Sequence, residues 1–144
     1  MSEQSNTGTN TETGSGTETI FAAVGGHPTF TRLVDVFYEH VAADEVLIAM
    51  YPDGHELTGA KHRLQMFLEQ YFGGPTTYQA ERGHPRLRMR HFPFPVDFDA
   101  RDRWLRSMRA ALDDVALPPL YDELFWDYFQ RAATAMVNTN STGA

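Results

Sequence analysis

Apolar residues recur at intervals of three and four positions through most of the stretch 19–138, and no other feature of the sequence constrains the fold so strongly. This interval matches the 3.6-residue turn of an α-helix, so each set of apolar residues lies along one helix face. Four such stripes begin at Phe30, Leu57, Trp104 and Leu124. No convincing run alternates apolar and polar residues as a half-buried strand does. The sequence therefore predicts an all-α fold with four main helices, arranged as at most two antiparallel pairs.

Residues that favour the start or the end of a helix flank the apolar stripes. Pro28 suits a first helical turn, because the backbone N–H that proline lacks would have no hydrogen-bond partner within the helix there. Asp44 is a plausible N-cap for a short helix that reaches about Met50. The run Gly73-Gly74-Pro75 should end the second stripe, which includes Phe67. The fourth stripe follows Pro118-Pro119 and is predicted to face the core with Leu124, Phe125, Tyr128, Ala132, Ala135 and Met136.

Both ends of the chain are poor in residues that could be buried. Residues 1–18 are mostly Thr, Ser, Gly, Asn and Glu, and such a segment cannot offset the entropy lost on ordering. The last residues have the same character. We therefore predict a disordered polar tail over 1–18, one folded domain over 19–138 and a disordered C-terminus over 139–144.

Composition excludes several classes of protein. The chain has no cysteine, which excludes disulfides, thiolate catalysis and cysteine-based metal centres. A formal net charge of −7 argues against non-specific binding of nucleic acid. No apolar stretch approaches the roughly 20 residues that a membrane span needs, and the N-terminus does not resemble a secretory signal. A cytoplasmic protein is the expectation.

His91 stands out among the six histidines because of its surroundings. A haem needs an imidazole on the iron, an apolar slot for the porphyrin and cations for its propionates. The run Arg86-Leu87-Arg88-Met89-Arg90-His91 and the following Phe92 and Phe94 supply all three. This run ends a connection that starts near Gly73, and connections of such length in a compact domain are usually functional.

Other interpretations of this run remain open at this point. A single histidine is more often a surface or capping residue than a ligand. Arginine-rich runs often stay solvated or bind phosphate backbones, although the acidic charge of the chain disfavours nucleic acid. Zinc is disfavoured, because His55 and His62, like His84 and His91, are two helical turns apart and no third ligand is evident.

Three polar aromatic residues are the other candidates for function. Tyr38 lies at the edge of the first stripe, Tyr51 follows the short helix, and Trp104 heads the third stripe within a charged stretch. Buried Tyr and Trp normally find partners for their O–H and N–H groups. They are therefore either core residues bonded to backbone carbonyls or donors that line a site.

The sequence resembles the group II truncated haemoglobins, which are 2-on-2 helical globins of bacteria and plants. The resemblance covers nearly all of the predicted domain, and its most specific motif is a nine-residue block that ends at His91. The matching segments are Ala23-Val24-Gly25-Gly26, Phe37-Tyr38, Tyr51-Pro52, Arg63 to Pro75, Gly83 to His91, Pro93-Phe94 and Arg103-Trp104-Leu105. The resemblance implies a truncated 2-on-2 globin-like helical sandwich around haem b.

The resemblance also implies roles for single residues. His91 matches the proximal iron ligand, while Tyr38 and Tyr51 match two phenols on the opposite, distal side of the haem. Trp104 matches the indole that characterises this group. Ala60 falls where many globins have a distal histidine, so hydrogen bonding to a ligand must come from other residues.

The remaining cofactor contacts follow in the same way. Leu64 and Phe67 match apolar walls of the haem pocket. Arg63 lies where a basic residue could meet a propionate. In the run before His91, Met89 would contribute to the apolar slot, and Arg90 would supply a cation for a propionate.

The resemblance implies reversible binding of oxygen and other diatomic ligands, nitric oxide and carbon monoxide, at a His91-ligated haem. The alternative is a haem redox enzyme, either a nitric oxide dioxygenase or a peroxidase. A helical interaction protein without cofactor is disfavoured by the presence of His91 with all three polar aromatics. No GxGxxG follows a strand, so an electron donor would be a separate reductase. The sequence is compatible with a homo-oligomer.

Overall fold

The computed structural model describes residues 18–83 and 95–139, and within these ranges it contains seven α-helices and no strand. The all-α prediction is therefore confirmed. The predicted disorder of 1–18 and 139–144 falls almost entirely outside the described residues and stays a prediction. The helices are α1 (Ile20–Ala23), α2 (His27–Ala42), α3 (Glu45–Ile48), α4 (Thr58–Tyr71), α5 (Thr77–Arg82), α6 (Phe98–Val115) and α7 (Pro119–Ala135).

Four long helices build the core. Helix α2 packs against both α4 and α6, and α6 packs against α7, so the pairs α2/α4 and α6/α7 meet through the contact of α2 with α6. The largest fully buried side chains are contributed mainly by α2 and α7 and include Phe30, Phe37, Phe125 and Phe129. Burial of these aromatic rings removes large apolar areas from water and stabilises the arrangement.

The predicted starts of α2 and α3 are confirmed. Pro28 lies in the first turn of α2. The Asp44 side chain accepts hydrogen bonds from the backbone N–H groups of Val46 at 2.9 Å and Leu47 at 3.1 Å, and thus caps α3. These bonds satisfy two of the amides that a helix start leaves without partners.

The end of α4 is joined to the start of the domain. Helix α4 ends at Tyr71, as the double glycine predicts, and Gly73 has a φ of +97°, a conformation that glycine adopts without steric cost. A Cβ on Gly74 would lie 2.7 Å from the Phe21 ring, so the two segments approach too closely for any larger residue. The Phe21 N–H donates to the Phe72 carbonyl at 2.8 Å.

The buried face of α7 differs from the predicted fourth stripe. Leu124 is 43% exposed, and Ala135 is also exposed, so their prediction as core residues is wrong. Phe125, which the prediction includes, is buried together with Phe129 and Ala133 at four-residue intervals. Tyr128, Ala132 and Met136 are half-buried. Leu124 precedes Phe125 by one residue and therefore projects about 100° around the helix from it.

Short helices occupy segments that the stripes leave unassigned. Helix α1 precedes the first stripe, and α5 lies within the long connection that starts near Gly73. After the undescribed residues 84–94, Val96 is joined to the end of the domain. The Val96 N–H donates to the side-chain oxygen of Asn138 at 2.8 Å, and the Asn138 N–H donates to the Val96 carbonyl at 2.9 Å. No helix in the described ranges combines the length and the apolar content required to cross a membrane.

Candidate functional site

The three polar aromatics named from the sequence come together between α2, α3 and α6. Tyr38 lies on α2 and is 5% exposed. Its ring meets the ring of Tyr51 edge-on, with centroids 5.8 Å apart. Phe37 lies between Tyr38 and Trp104, because the centroid of its ring is 4.9 Å from the ring centroid of each. Helix α2 thus contributes two adjacent rings that connect Tyr51 with Trp104.

An ion pair holds α6 against the corner that leads to Tyr51. Arg103 Nη1 lies 3.1 Å from Asp44 Oδ1, and Arg103 Nε lies 2.8 Å from Asp99 Oδ2. Burial opposes ionisation of Asp44, but hydrogen bonds from the Leu47 amide and from Arg103 outweigh it and hold the pKa of Asp44 below its usual range. The carboxylate that caps α3 therefore also positions the residue before Trp104.

The hydroxyl of Tyr51 is the point where the three polar groups meet. Removal from water raises the pKa of Tyr51, while hydrogen bonds from Tyr38 and Trp104 oppose that rise. A hydrogen bond lowers the pKa of a phenol when it is donated to the phenol oxygen, because it stabilises the anion. The indole N–H can only donate. The indole of Trp104 therefore donates to the Tyr51 oxygen, and Tyr38 is the second hydrogen-bond partner of that hydroxyl.

Tyr38 is a neutral phenol in this environment. Burial is the main reason that the pKa of Tyr38 lies far above its ordinary value, and the hydrogen bond to Tyr51 raises it further. The positive charge of Arg63 lowers it in part. At neutral pH Tyr38 therefore keeps its proton.

Helix α4 supplies an apolar wall with the residues that the sequence names. Ala60 and Leu64 are partly buried and pack against the core, and Phe67 is 8% exposed. They follow one another at intervals of four and three, so they share one face of the helix. Phe67 also contacts Tyr78 of α5, with ring centroids 5.5 Å apart.

Arg63 is the exposed cation of this region. Its guanidinium turns back along α4 towards Gly59, where an added Cβ would lie 3.0 Å from Nη1. Arg63 forms no ion pair with any residue in the described ranges. Its positive charge is close enough to Tyr38 to lower the pKa of that phenol. An anionic group at this edge of the site could therefore pair with Arg63, for which no carboxylate in the described ranges competes.

His91, Met89 and Arg90, the other predicted haem contacts, lie outside the described residues. In the ranges that the structure describes, no three His, Asp or Glu side chains come close enough to hold a metal ion. The described part of the site thus combines polar donors at one end, an apolar wall and a cation at the edge. This combination suits a flat apolar cofactor with anionic substituents.

Sequence reasoning missed three contributors to the site. Phe37 was assigned to the first stripe without a role between Tyr38 and Trp104. Phe129, whose ring lies 5.8 Å from that of Trp104, could have been found by continuing the four-residue interval from Phe125. The pairing of Arg103 with Asp44 had no sequence signal, because 59 residues separate them.

Comparisons with known proteins agree with this geometry. The family model described as bacterial-like globin matches residues 19–138. The group 2 truncated hemoglobin YjbI of Bacillus subtilis is 40% identical over 113 residues, which are 78% of this chain and 84% of that protein.

Solved structures give the same relationship. A thermostable hemoglobin from Thermobifida fusca is 56% identical with a TM-score of 0.82, and the match covers 85% of this chain and 98% of that one. A truncated oxygen-avid haemoglobin from Bacillus subtilis is 38% identical with a TM-score of 0.79, over 84% and 100% of the two chains.

The structural matches extend over nearly the full length of the related structures, and the family match covers residues 19–138. The helical pairs and the family match therefore identify the same fold. The chain belongs to the bacterial-like globin family, among the group II truncated haemoglobins.

Proposed function

We propose that this chain binds haem b through His91 and reversibly binds oxygen in the pocket lined by Tyr38, Tyr51 and Trp104. The observation that supports this most directly is the convergence of one phenol, Tyr38, and one indole, Trp104, on the Tyr51 hydroxyl. Such a cluster of donors beside an apolar wall stabilises charge that develops on a bound ligand. The Bacillus subtilis relative described as oxygen-avid favours the same ligand.

The described residues fit a haem. Leu64 and Phe67 offer apolar surface for the porphyrin, and the exposed Arg63, which has no carboxylate partner in the described ranges, suits a propionate. Ala60 places no hydrogen-bonding group between them and the polar cluster. His91 would supply the imidazole for the iron, with Met89 and Arg90 beside it. When bound, haem supplies an iron with one coordination position open to a diatomic gas.

The roles of the polar residues follow from their hydrogen bonds. Because Trp104 donates to the Tyr51 oxygen, the Tyr51 O–H is the proton proposed to be donated towards a ligand. Accepting a hydrogen bond polarises the phenol and strengthens it as a donor. Tyr38 and Trp104 thus orient Tyr51, and α4 with its apolar wall limits access of water, which keeps the effective dielectric constant low.

Oxygen, nitric oxide and carbon monoxide are the ligands proposed for this pocket, with oxygen carriage or sensing as the role. Redox turnover of nitric oxide or peroxide, supported by a separate reductase, is the second candidate. A specific observation favours it, because ring contacts continue from Trp104 through Phe129 towards the surface.

Absorption spectroscopy tests the proposal. The purified chain should show a Soret band after haem loading and a reversible spectral change when the dithionite-reduced protein is mixed with oxygen. His91→Ala should lose the spectrum of an imidazole-ligated haem and regain it with added imidazole. His55→Ala, which replaces an exposed histidine, is the matched control and should retain it. A chain that takes up no haem, or a His91→Ala variant with an unchanged spectrum, would disprove the proposal.

A further inference from the structure

Among the described residues, Arg63 is a cation without an ionic partner beside the apolar wall of α4. It is exposed and ends a run of three basic residues that starts at Lys61. Lys61 Nζ lies 3.6 Å from Asp35 Oδ1, and His62 Nε2 lies 3.3 Å from Glu81 Oε1. Of these three side chains, only Arg63 has no carboxylate partner in the part of the chain that the structure describes. Its positive charge is therefore available to a ligand.

Gly59 makes room for the guanidinium of Arg63. A Cβ added to Gly59 would lie 3.0 Å from Nη1, 3.8 Å from Cζ and 4.0 Å from Nη2 of Arg63. The guanidinium therefore lies directly against the backbone of the first turn of α4. Glycine is less favourable than alanine within a helix, and the close approach of Arg63 gives a physical reason for its presence here.

This arrangement brings the positive charge to the side of α4 on which Tyr38 lies. The charge of Arg63 lowers the pKa of Tyr38, so the two side chains are close enough to interact. Gly59 and Arg63 precede Ala60 and Leu64 by one position, and they therefore flank the apolar wall. Ala60 is small and carries no polar group. A ligand that enters past Ala60 would meet the guanidinium before it reaches Tyr38.

We propose that Arg63, held against Gly59, is a specificity-determining residue that favours entry of small anions such as azide and nitrite to ferric haem. The inference deepens the proposed function and rests on haem bound in that pocket. A positive charge at an entrance raises the association rate of anions and leaves that of neutral molecules unchanged. The planar guanidinium also has five donors, which suit small oxyanions.

Stopped-flow mixing of the ferric, haem-loaded full chain with azide tests the proposal. At neutral pH and about 10 mM salt, where charges act over about 30 Å, Arg63→Gln should slow azide association about threefold or more. The difference should shrink in about 1 M salt, where that distance falls to about 3 Å. Nitric oxide is neutral, and its association with the same ferric protein should not change.

Three further variants separate charge from shape. Lys61→Gln removes the same charge from the same helix, but from a cation paired with Asp35, and should leave azide association nearly unchanged. Gly59→Leu introduces a good helix former that displaces the guanidinium, and it should slow azide as Arg63→Gln does. Combining Gly59→Leu with Arg63→Gln should add nothing further, because both changes remove one interaction. The nitric oxide rate shows whether leucine itself obstructs entry.

The rate of haem transfer to apomyoglobin is measured for each variant. Faster haem loss from Arg63→Gln with unchanged azide association would mean that Arg63 serves only a propionate, and it would overturn the inference. Equal slowing of azide and nitric oxide would also overturn it, because the cause would then be steric. Both outcomes leave haem and oxygen binding intact, whereas a chain that binds no haem would disprove the proposed function itself.

Discussion

At the scale of single residues, the proposed function makes the Tyr51 hydroxyl the group that slows ligand release. Hydrogen bonds to charged groups contribute about 1.5–3 kcal/mol, so Tyr51→Phe should speed oxygen release by about 10- to 150-fold. Trp104→Phe should also speed release, because it removes a donor that orients and polarises Tyr51. Stopped-flow displacement of oxygen by carbon monoxide measures both rates, with Tyr121→Phe as the control. Unchanged release in Trp104→Phe would remove Trp104 from the proposed mechanism.

Asp44 makes a second prediction at this scale. Its pKa is lowered in the folded protein, so its charge stabilises the fold above the pKa it has when unfolded, about 4, and that contribution disappears as the pH falls through the lower folded value. Asp44→Asn keeps a capping side chain but loses the ion pair with Arg103.

The measurement is urea unfolding of both proteins as a function of pH. The unsubstituted chain should be more stable than Asp44→Asn at pH 7, and the difference should shrink progressively as the pH falls below about 4. Asp53→Asn, which removes a carboxylate in an exposed turn, is the control. A difference in unfolding free energy between the unsubstituted chain and Asp44→Asn that stays constant from pH 7 to strong acid would contradict the role assigned to Asp44.

At the scale of helices, α7 shows that an error of one position in the predicted periodicity changes which residues are assigned to the core. Phe129 is almost completely buried, and Phe→Ala at such a position typically costs about 3–5 kcal/mol. Leu124→Ala on the same helix should change stability by only about 0.5 kcal/mol or less, because this side chain is largely in solvent. Chemical denaturation of both variants gives the comparison. Similar losses in the two variants would mean that Leu124 is covered by another chain or segment.

The helices themselves could be predicted, because stripes, caps and double glycines act locally. The stripe through Phe30 and Phe37, the cap at Asp44 and the end of α4 before Gly73 all follow from neighbouring residues. The face that α7 buries could not be derived in this way. That face depends on what lies opposite it, and Leu124 and Phe125 are both apolar.

The candidate site was predictable as a set of residues but not as an arrangement. Tyr38, Tyr51 and Trp104 were named from type and family resemblance. Their convergence on one oxygen depends on α2 packing against α6 and on the distant ion pair of Asp44 with Arg103. Interactions between residues so far apart in sequence leave no periodic signal.

At the scale of the whole molecule, haem should contribute to stability, because a ligand that binds only the folded state favours it. The gain is about 4 kcal/mol when free ligand exceeds its dissociation constant 1,000-fold. The haem-loaded chain should therefore unfold at a higher urea concentration than the haem-free chain. His91→Ala should show a smaller gain and His55→Ala the full one. Equal midpoints with and without haem in the unsubstituted chain would contradict this prediction.

The mutual hydrogen bonds of Val96 and Asn138 have a consequence for biosynthesis. Val96 lies just before α6, the helix that carries Trp104, and Asn138 follows it by 42 residues. A chain emerging from the ribosome at about 5–20 residues per second cannot make this connection until residue 138 has left the ribosome. The segment before α6 therefore acquires these two bonds only after α7 has been synthesised. A nascent chain stalled before residue 138 should then retain haem, bound as proposed, less well than the full chain.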